Sequence, residues 1–148
     1  MKKHNILWLS LIVGSLIVVA MLYMLRVIEH EPKAESIYFV SKTSSQNSTF
    51  WHSVERGVNV AADELGLEVT FVGPEREIDL DDQVAFVREG IEESPVAIIL
   101  AASDYNYLGE VSREVIEAKI TFVAVDSDVN IEEEHSFIAS DNRQAAKE

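Results

Sequence analysis

The sequence contains no cysteine. This absence excludes disulfide bonds, thiolate metal sites, cysteine nucleophiles and lipid-modified cysteines. It does not identify the redox compartment, because cysteine-free chains occur in oxidising and in reducing surroundings.

The short motifs of common active sites are also missing. There is no G-x-S-x-G nucleophile motif, no G-x-x-x-x-G-K-S/T phosphate loop, no G-x-G-x-x-G dinucleotide motif and no H-E-x-x-H zinc motif. The histidines lack the spacing of metal ligands; they are His4, His30, His52 and His135. We therefore expect neither enzymatic activity nor a bound metal or cofactor.

Positive charge is scarce in most of the chain. The formal net charge is −14, and all 26 acidic residues lie at or after Glu29. Only 9 of the 12 basic residues lie in residues 29–148, so this part has a net charge of −17. Such a surface repels phosphate backbones and offers no basic stripe, so we expect no nucleic-acid partner.

The N-terminal segment is apolar. Residues 5–25 form a run of 21 residues without a charge, preceded by Lys2 and Lys3. This length suffices for a membrane-spanning helix, and the two lysines favour a cytoplasmic N-terminus. We interpret residues 1–28 as a transmembrane anchor or uncleaved signal sequence and residues 29–35 as a linker, which places the following domain on the extracellular or periplasmic side. The alternative is a signal peptide cleaved near Val18-Val19-Ala20.

Residues 36–148 alternate between strand and helix patterns. Apolar or β-rich runs begin near residues 37, 67, 96, 120 and 135, and the first three gaps contain segments with helical spacing. One predicted helix begins after Asp79 as its N-cap, and another covers residues 105–118. Repeated βαβ units predict an α/β fold: an open parallel sheet with helices on both faces and the strand order 2-1-3-4-5.

Polar loops follow three of the predicted strands and share one rim of the sheet. They are residues 43–49, 101–104 and 126–128. The first loop leads into a helix with Ser48 or Thr49 as N-cap. Because ligands bind at the carboxyl ends of parallel strands, we expect the binding site at this rim. The predicted inward positions of the first helix are Phe50, Val54, Val58, Ala61 and Leu65.

Phe50, Trp51 and Asp126 suit a sugar ligand. An aromatic face can stack on the C–H groups of a sugar ring, and an ionised carboxylate accepts two hydroxyl hydrogen bonds. The alternatives are that Phe50 packs into the core and that Asp126 stabilises its own turn.

Three segments resemble the N-terminal lobe of type 1 periplasmic binding proteins, the ribose-binding-protein-like group. They are Ser48-Thr49-Phe50-Trp51 followed by Gly57, residues 121–128 and residues 137–142. The resemblance covers residues 36–147 and implies one lobe of a two-lobed protein that holds a sugar or a similar small polar ligand between its lobes. The family often has an asparagine and a proline at the positions of Ser48 and Thr49, and an arginine at that of Ser127.

The resemblance also implies partners and residue roles. Together with the apolar N-terminal segment, it predicts a membrane-anchored solute-binding protein that serves an ABC permease, with a second-lobe chain as a further expected partner. The alternative is a sensory module for a receptor or sensor kinase, or a remnant with little ligand affinity. Ser140, Asp141 and Asn142 correspond to the first hinge crossing. The expected ligand contacts are Asn47, Ser48, Phe50, Trp51, Ser103, Asp104, Asp126 and Ser127.

Overall fold

The computed structural model describes residues 13–21 and 35–140. The chain divides into two units, Met1–Lys33 and Ala34–Glu148. In the first unit, residues 13–21 form helix α1. Within the described ranges, no helix has the length and apolar character that a membrane crossing requires. The predicted span of residues 5–25 extends beyond α1 into residues outside these ranges, so it stays a prediction.

The second unit is built on a five-stranded parallel sheet. The strands pair in the order β2-β1-β3-β4-β5, which confirms the predicted α/β fold and strand order. The order reverses between β1 and β3, and ligands of open α/β sheets bind at such a switch point. The strands are β1 (Ser36–Val40), β2 (Glu68–Val72), β3 (Ala97–Leu100), β4 (Thr121–Val125) and β5 (Ser136–Ile138).

Three helices connect the first four strands. Helix α2 (Thr49–Leu65) follows β1 after a short 3-10 turn, Ser45–Asn47. Helix α3 (Leu80–Glu93) joins β2 to β3, and helix α4 (Gly109–Glu117) joins β3 to β4. Each helix thus connects two parallel strands, as the βαβ pattern predicts.

One predicted helix start and one predicted helix cap were wrong. The helix between β3 and β4 begins later than predicted, because the Asp104 carboxylate accepts the backbone N–H groups of Asn106 and Tyr107 at 2.8 and 2.7 Å. These bonds hold the residues in a turn that competes with a helix. Asp79 precedes α3 as predicted, but its carboxylate accepts hydrogen bonds from the Arg76 guanidinium at 3.1 and 2.5 Å instead of capping the helix.

Helix α2 turns a different set of side chains inward from the predicted one. The prediction was wrong at Phe50, Ala61 and Leu65, which are exposed. The indole of Trp51 packs against the ring of Phe39, with centroids 6.5 Å apart, and this contact sets the rotation of the helix. Both sets are compatible with a period of 3.6 residues. The inward residues are Trp51, Val54, Val58 and Ala62.

The two faces of the sheet are covered unequally. On the face that packs against α3 and α4, Ile98 and Leu100 of β3 are completely buried. On the face that packs against α2, Ile99 and Val125 are only partly buried. A depression therefore remains beside α2, toward β4.

Gln83 of α3 ties the ends of β1 and β3 together. Its side chain is completely buried. The amide nitrogen donates to the carbonyl oxygens of Ser41 and Ala101 at 3.0 and 2.9 Å, and the amide oxygen accepts the backbone N–H of Ser103 at 3.0 Å. A buried amide needs such partners, and here they fix the rim at the switch point.

Candidate ligand-binding site

Two aromatic rings stand at the start of α2. The Ser48 hydroxyl caps this helix by accepting the backbone N–H of Trp51 at 3.4 Å. Trp51 is 6% exposed, whereas Phe50 is 60% exposed. Their rings meet edge to face, with centroids 5.0 Å apart. Phe50 therefore presents the free aromatic face, and the alternative that it packs into the core is wrong.

Asp126 lies directly after β4 in an unusual backbone conformation. Its φ is 64°, which lies in the left-handed region that aspartate and asparagine tolerate better than most residues. Its backbone N–H donates to the carbonyl oxygen of Ile138 at 2.9 Å, which joins β4 to β5 beyond their ladder. The side chain is 53% exposed, and its Oδ2 lies 2.7 Å from Nζ of Lys42.

Lys42 is a candidate site residue that was not predicted from the sequence. It follows the end of β1, and its Nζ also donates to the Ser127 hydroxyl at 2.6 Å. Glu77 is a more distant acidic neighbour, at 4.0 Å from Nζ. The ammonium group has three N–H donors, so it can bind Asp126 and Ser127 and still offer a proton to a ligand oxygen. Its position at a strand end is the signal that could have identified it.

The aromatic rings and Asp126 line one cavity. Its volume is about 320 Å³, within the range of small-molecule sites. The cavity lies beside α2, where Val125 of β4 is only partly buried. Its lining residues are Phe39, Phe50, Trp51, Val54, Val125, Asp126, Ile138, Ala139 and Ser140. The structure thus brings together four of the predicted site or hinge residues: Phe50, Trp51, Asp126 and Ser140.

The other predicted residues do not line this cavity. The Asn47 side-chain amide donates to the carbonyl oxygen of Glu75 at 3.0 Å, and Ser48 caps α2. Asp104 holds the turn before α4, and the Ser103 hydroxyl is buried with no hydrogen-bond partner within residues 35–140. The Ser127 hydroxyl accepts a hydrogen bond from Lys42, which in turn pairs with the lining residue Asp126. Asp141 and Asn142 lie outside the described residues.

Two larger depressions lie on the other side of the sheet, one at the start of α3 and one between α3 and α4. Their volumes are about 380 and 450 Å³, and Asp81, Asp82 and Glu110 are among their lining residues. The hydroxyl of Tyr107, which lines both, donates to the Asp81 carboxylate. No strand residue lines either of them, whereas Phe39 and Val125 place the cavity beside α2 at the sheet. The cavity beside α2 is therefore the better candidate for a ligand site.

The sequence matches one protein family. The model of the periplasmic binding protein domain family aligns with residues 37–148. The comparison with curated protein sequences gave no significant match.

Solved structures with a similar fold include solute-binding proteins of transport systems. An ABC transporter solute-binding protein from Agrobacterium vitis with bound D-fucose is 34% identical, with a TM-score of 0.68 over 76% of this chain and 39% of that chain. A sugar transporter from Clostridium phytofermentans is 30% identical, with a TM-score of 0.68 over 74% of this chain and 40% of that chain.

A third structure shows the fold at lower identity. It is a carbohydrate transporter solute-binding protein from Agrobacterium radiobacter in complex with D-arabinose, 23% identical, with a TM-score of 0.71 over 79% of this chain and 39% of that chain. The present chain spans less than half the length of each of these three proteins.

Proposed function

Since the chain belongs to the periplasmic binding protein domain family, we propose that it binds a sugar or a similar small polar ligand outside the cell membrane, without chemical change to the ligand. Solved structures of family-like proteins with bound D-fucose and D-arabinose support a sugar as the ligand class. ABC transporter proteins among them support delivery to an ABC permease.

The proposal rests on one observation: the Phe50 ring and the Asp126 carboxylate, which pairs with Lys42, line the same cavity. Phe50 offers an exposed ring on which the C–H groups of a sugar can stack. The second oxygen of the Asp126 carboxylate can accept a sugar hydroxyl, and Lys42 can donate to a hydroxyl oxygen. Charge assistance strengthens both kinds of hydrogen bond.

The charges at the site favour an uncharged sugar. The Lys42 ammonium and the Asp126 carboxylate, 2.7 Å apart, largely neutralise each other. Glu77 lies near the same ammonium, and the surrounding domain is strongly acidic. An anionic sugar acid would meet this negative field, whereas a neutral pentose or hexose would not.

We propose further that the chain supplies one wall of the complete site. Phe50 and Asp126 remain more than half exposed, so a sugar bound to them alone would keep much of its surface in water. Tight small-molecule sites bury most of their ligand. A second lobe, which the resemblance implies, would cover the other side. The apolar residues 5–25 support a membrane anchor for this assembly.

An NMR titration of the full chain tests the proposal. D-fucose, D-arabinose and D-glucose are added up to about 0.1 M, because an isolated wall should bind with a dissociation constant of about 1 mM, or about −4 kcal/mol. We expect amide shifts at Phe50, Asp126 and Ser127. The absence of shifts at these positions with all three sugars would contradict the proposal.

The sugar affinities of three variants test which residues contribute to binding. Phe50→Ala and Asp126→Asn should each weaken sugar binding at least about fivefold, since such contacts contribute about 1–3 kcal/mol. Asparagine is chosen because it tolerates the left-handed conformation. Ser53→Ala is the control, because the Ser53 hydroxyl is exposed and donates to the carbonyl of Thr49 on α2. Equal affinity in all three variants would place the site elsewhere.

A further inference from the structure

His135 lies immediately before β5 with both ring nitrogens next to hydrogen-bond acceptors. Nε2 lies 2.8 Å from Oδ1 of Asp128, and Nδ1 lies 2.9 Å from the backbone carbonyl oxygen of Glu133. The side chain is 12% exposed, and its ring centroid lies 5.6 Å from that of Phe122 on β4. The imidazole is thus enclosed between β4 and the loop that leads into β5.

A neutral imidazole can satisfy only one of these two acceptors. Each neutral tautomer has one N–H, and its other nitrogen carries a lone pair that would face the carboxylate or the carbonyl oxygen. The imidazolium donates to both acceptors at once. The geometry therefore fits the protonated ring, and loss of the proton replaces one attractive contact by a repulsive one.

The charged groups around the ring favour the same protonation state. Asp128 and Glu133 are the acidic residues that face it, and Arg113 of α4 pairs with the Glu133 carboxylate at 3.3 Å. The hydrogen bond to the Glu133 carbonyl raises the pKa of His135 above its usual 6.5. Burial opposes this rise, and the hydrogen bond and charge of Asp128 add to it.

The strand that follows His135 forms one wall of the candidate site. Ile138 of β5 lines the cavity together with Ala139 and Ser140. The strand has three residues, all exposed, and lies at the edge of the sheet, where it pairs with β4. A short edge strand gains little stability from its own ladder, so a contact at its start has a large influence on it.

We propose that His135 is a positioning residue for the ligand site: its protonated ring holds β5 against β4, and its deprotonation releases β5 and the wall that Ile138 and Ser140 form. The effect on the ligand rests on the proposed function, whereas the release of β5 does not. A ring whose pKa is raised on folding stabilises the fold fully below pH 6.5, and this contribution is lost as the pH rises through the folded-state pKa.

Hydrogen exchange of the full chain tests the release of β5. The protection factor of the Ile138 amide is measured from about pH 5.5 to about pH 8.5, a range around the ordinary histidine pKa, and the His135 ring is titrated by NMR in the same samples. Ile138 is the suitable probe because its backbone faces β4, where its carbonyl oxygen accepts the Asp126 N–H. We expect protection to fall as the His135 ring loses its proton and to level off above the ring's folded-state pKa. The total loss should be about tenfold for each unit by which folding raises the pKa.

Three variants separate this role from a general loss of stability. His135→Gln should remove the pH-dependent step, and Asp128→Asn should move the ring titration and the β5 step together to lower pH. His52→Gln is the matched control, because His52 is exposed on α2, and it should keep the wild-type profile. If His135→Gln does not fold, the Asp128→Asn variant still tests the inference, because the ring titration and the β5 step should move together to lower pH.

Two results would overturn the inference. One is protection of β5 that does not change across the ring titration, and the other is an unchanged step in His135→Gln. Sugar titrations at the two ends of the pH range test the ligand part separately, and we expect weaker binding at the higher pH. A pH step in β5 without any sugar binding would contradict the proposed function and leave the role of His135 in positioning β5 intact.

Discussion

Replacement of Gln83 by leucine tests how the rim of the sheet is held. The two side chains are similar in volume, so the change removes hydrogen bonds with little change in packing. Three buried or partly buried backbone groups lose their partner: the carbonyl oxygens of Ser41 and Ala101 and the N–H of Ser103.

The expected cost follows from these three groups. An unpaired buried polar group costs about 1–3 kcal/mol, so the three together cost roughly 5 kcal/mol. Burial of the apolar leucine side chain offsets about 2 kcal/mol of this cost. The Gln83→Leu variant should therefore lose about 3 kcal/mol of unfolding free energy, a large share of the ~5–15 kcal/mol that stabilises a typical domain.

Urea denaturation of the full chain, followed by tryptophan fluorescence, measures this loss. Trp51 is largely buried in the native fold, so its emission shifts on unfolding. Gln46→Leu is the matched control, because Gln46 is exposed on the 3-10 turn, and it should change stability by less than about 0.5 kcal/mol. A loss below about 1 kcal/mol in Gln83→Leu, with an unchanged slope, would refute the reasoning.

Two other predictions concern packing and the membrane. Gly90→Ala should destabilise the domain by about 1–3 kcal/mol, because the new Cβ would lie 2.7 Å from the Tyr38 ring, whereas Gly57→Ala, in open space on α2, should be neutral or stabilising by up to about 1 kcal/mol. Equal thermal midpoints in both variants would contradict this contrast. The intact protein should fractionate with membranes, and protease added from outside should digest the α/β domain. A soluble mature form that begins at Met21 would instead demonstrate a cleaved signal peptide.

The sheet could be predicted from the sequence because its signals are local. The uninterrupted apolar run of residues 96–100 indicated a central parallel strand, and β3 lies between β1 and β4. The connections between the strands are long enough for a helix, and such connections permit the parallel arrangement of βαβ units. Few topologies remain once these two conditions are met.

The rotation of α2 could not be predicted from the same signals. Phe50 and Trp51 are adjacent and apolar, so a stripe with a period of 3.6 residues can begin at either of them. The choice depends on a tertiary contact between Trp51 and Phe39 of β1. This contact exposes Phe50 and thereby gives the candidate site its free aromatic face.

The polar part of the site was only partly predictable. Asp126 follows a strand, and this position identified it as a candidate. Lys42 meets Ser127 across 85 positions of the sequence, and no periodicity reports a side-chain pair at that separation. The turn that Asp104 forms is local, but a strand-end aspartate is equally compatible with a ligand contact and with a turn.

The left-handed backbone of Asp126 restricts how this site can change by mutation. With a φ of 64°, the position accommodates glycine and asparagine as readily as aspartate, whereas a branched or bulky side chain would strain the turn. Codons for asparagine and glycine are each one nucleotide away from an aspartate codon. A single base change can therefore remove the carboxylate while the backbone keeps its path, so ligand preference at this position can change in evolution without a change in fold.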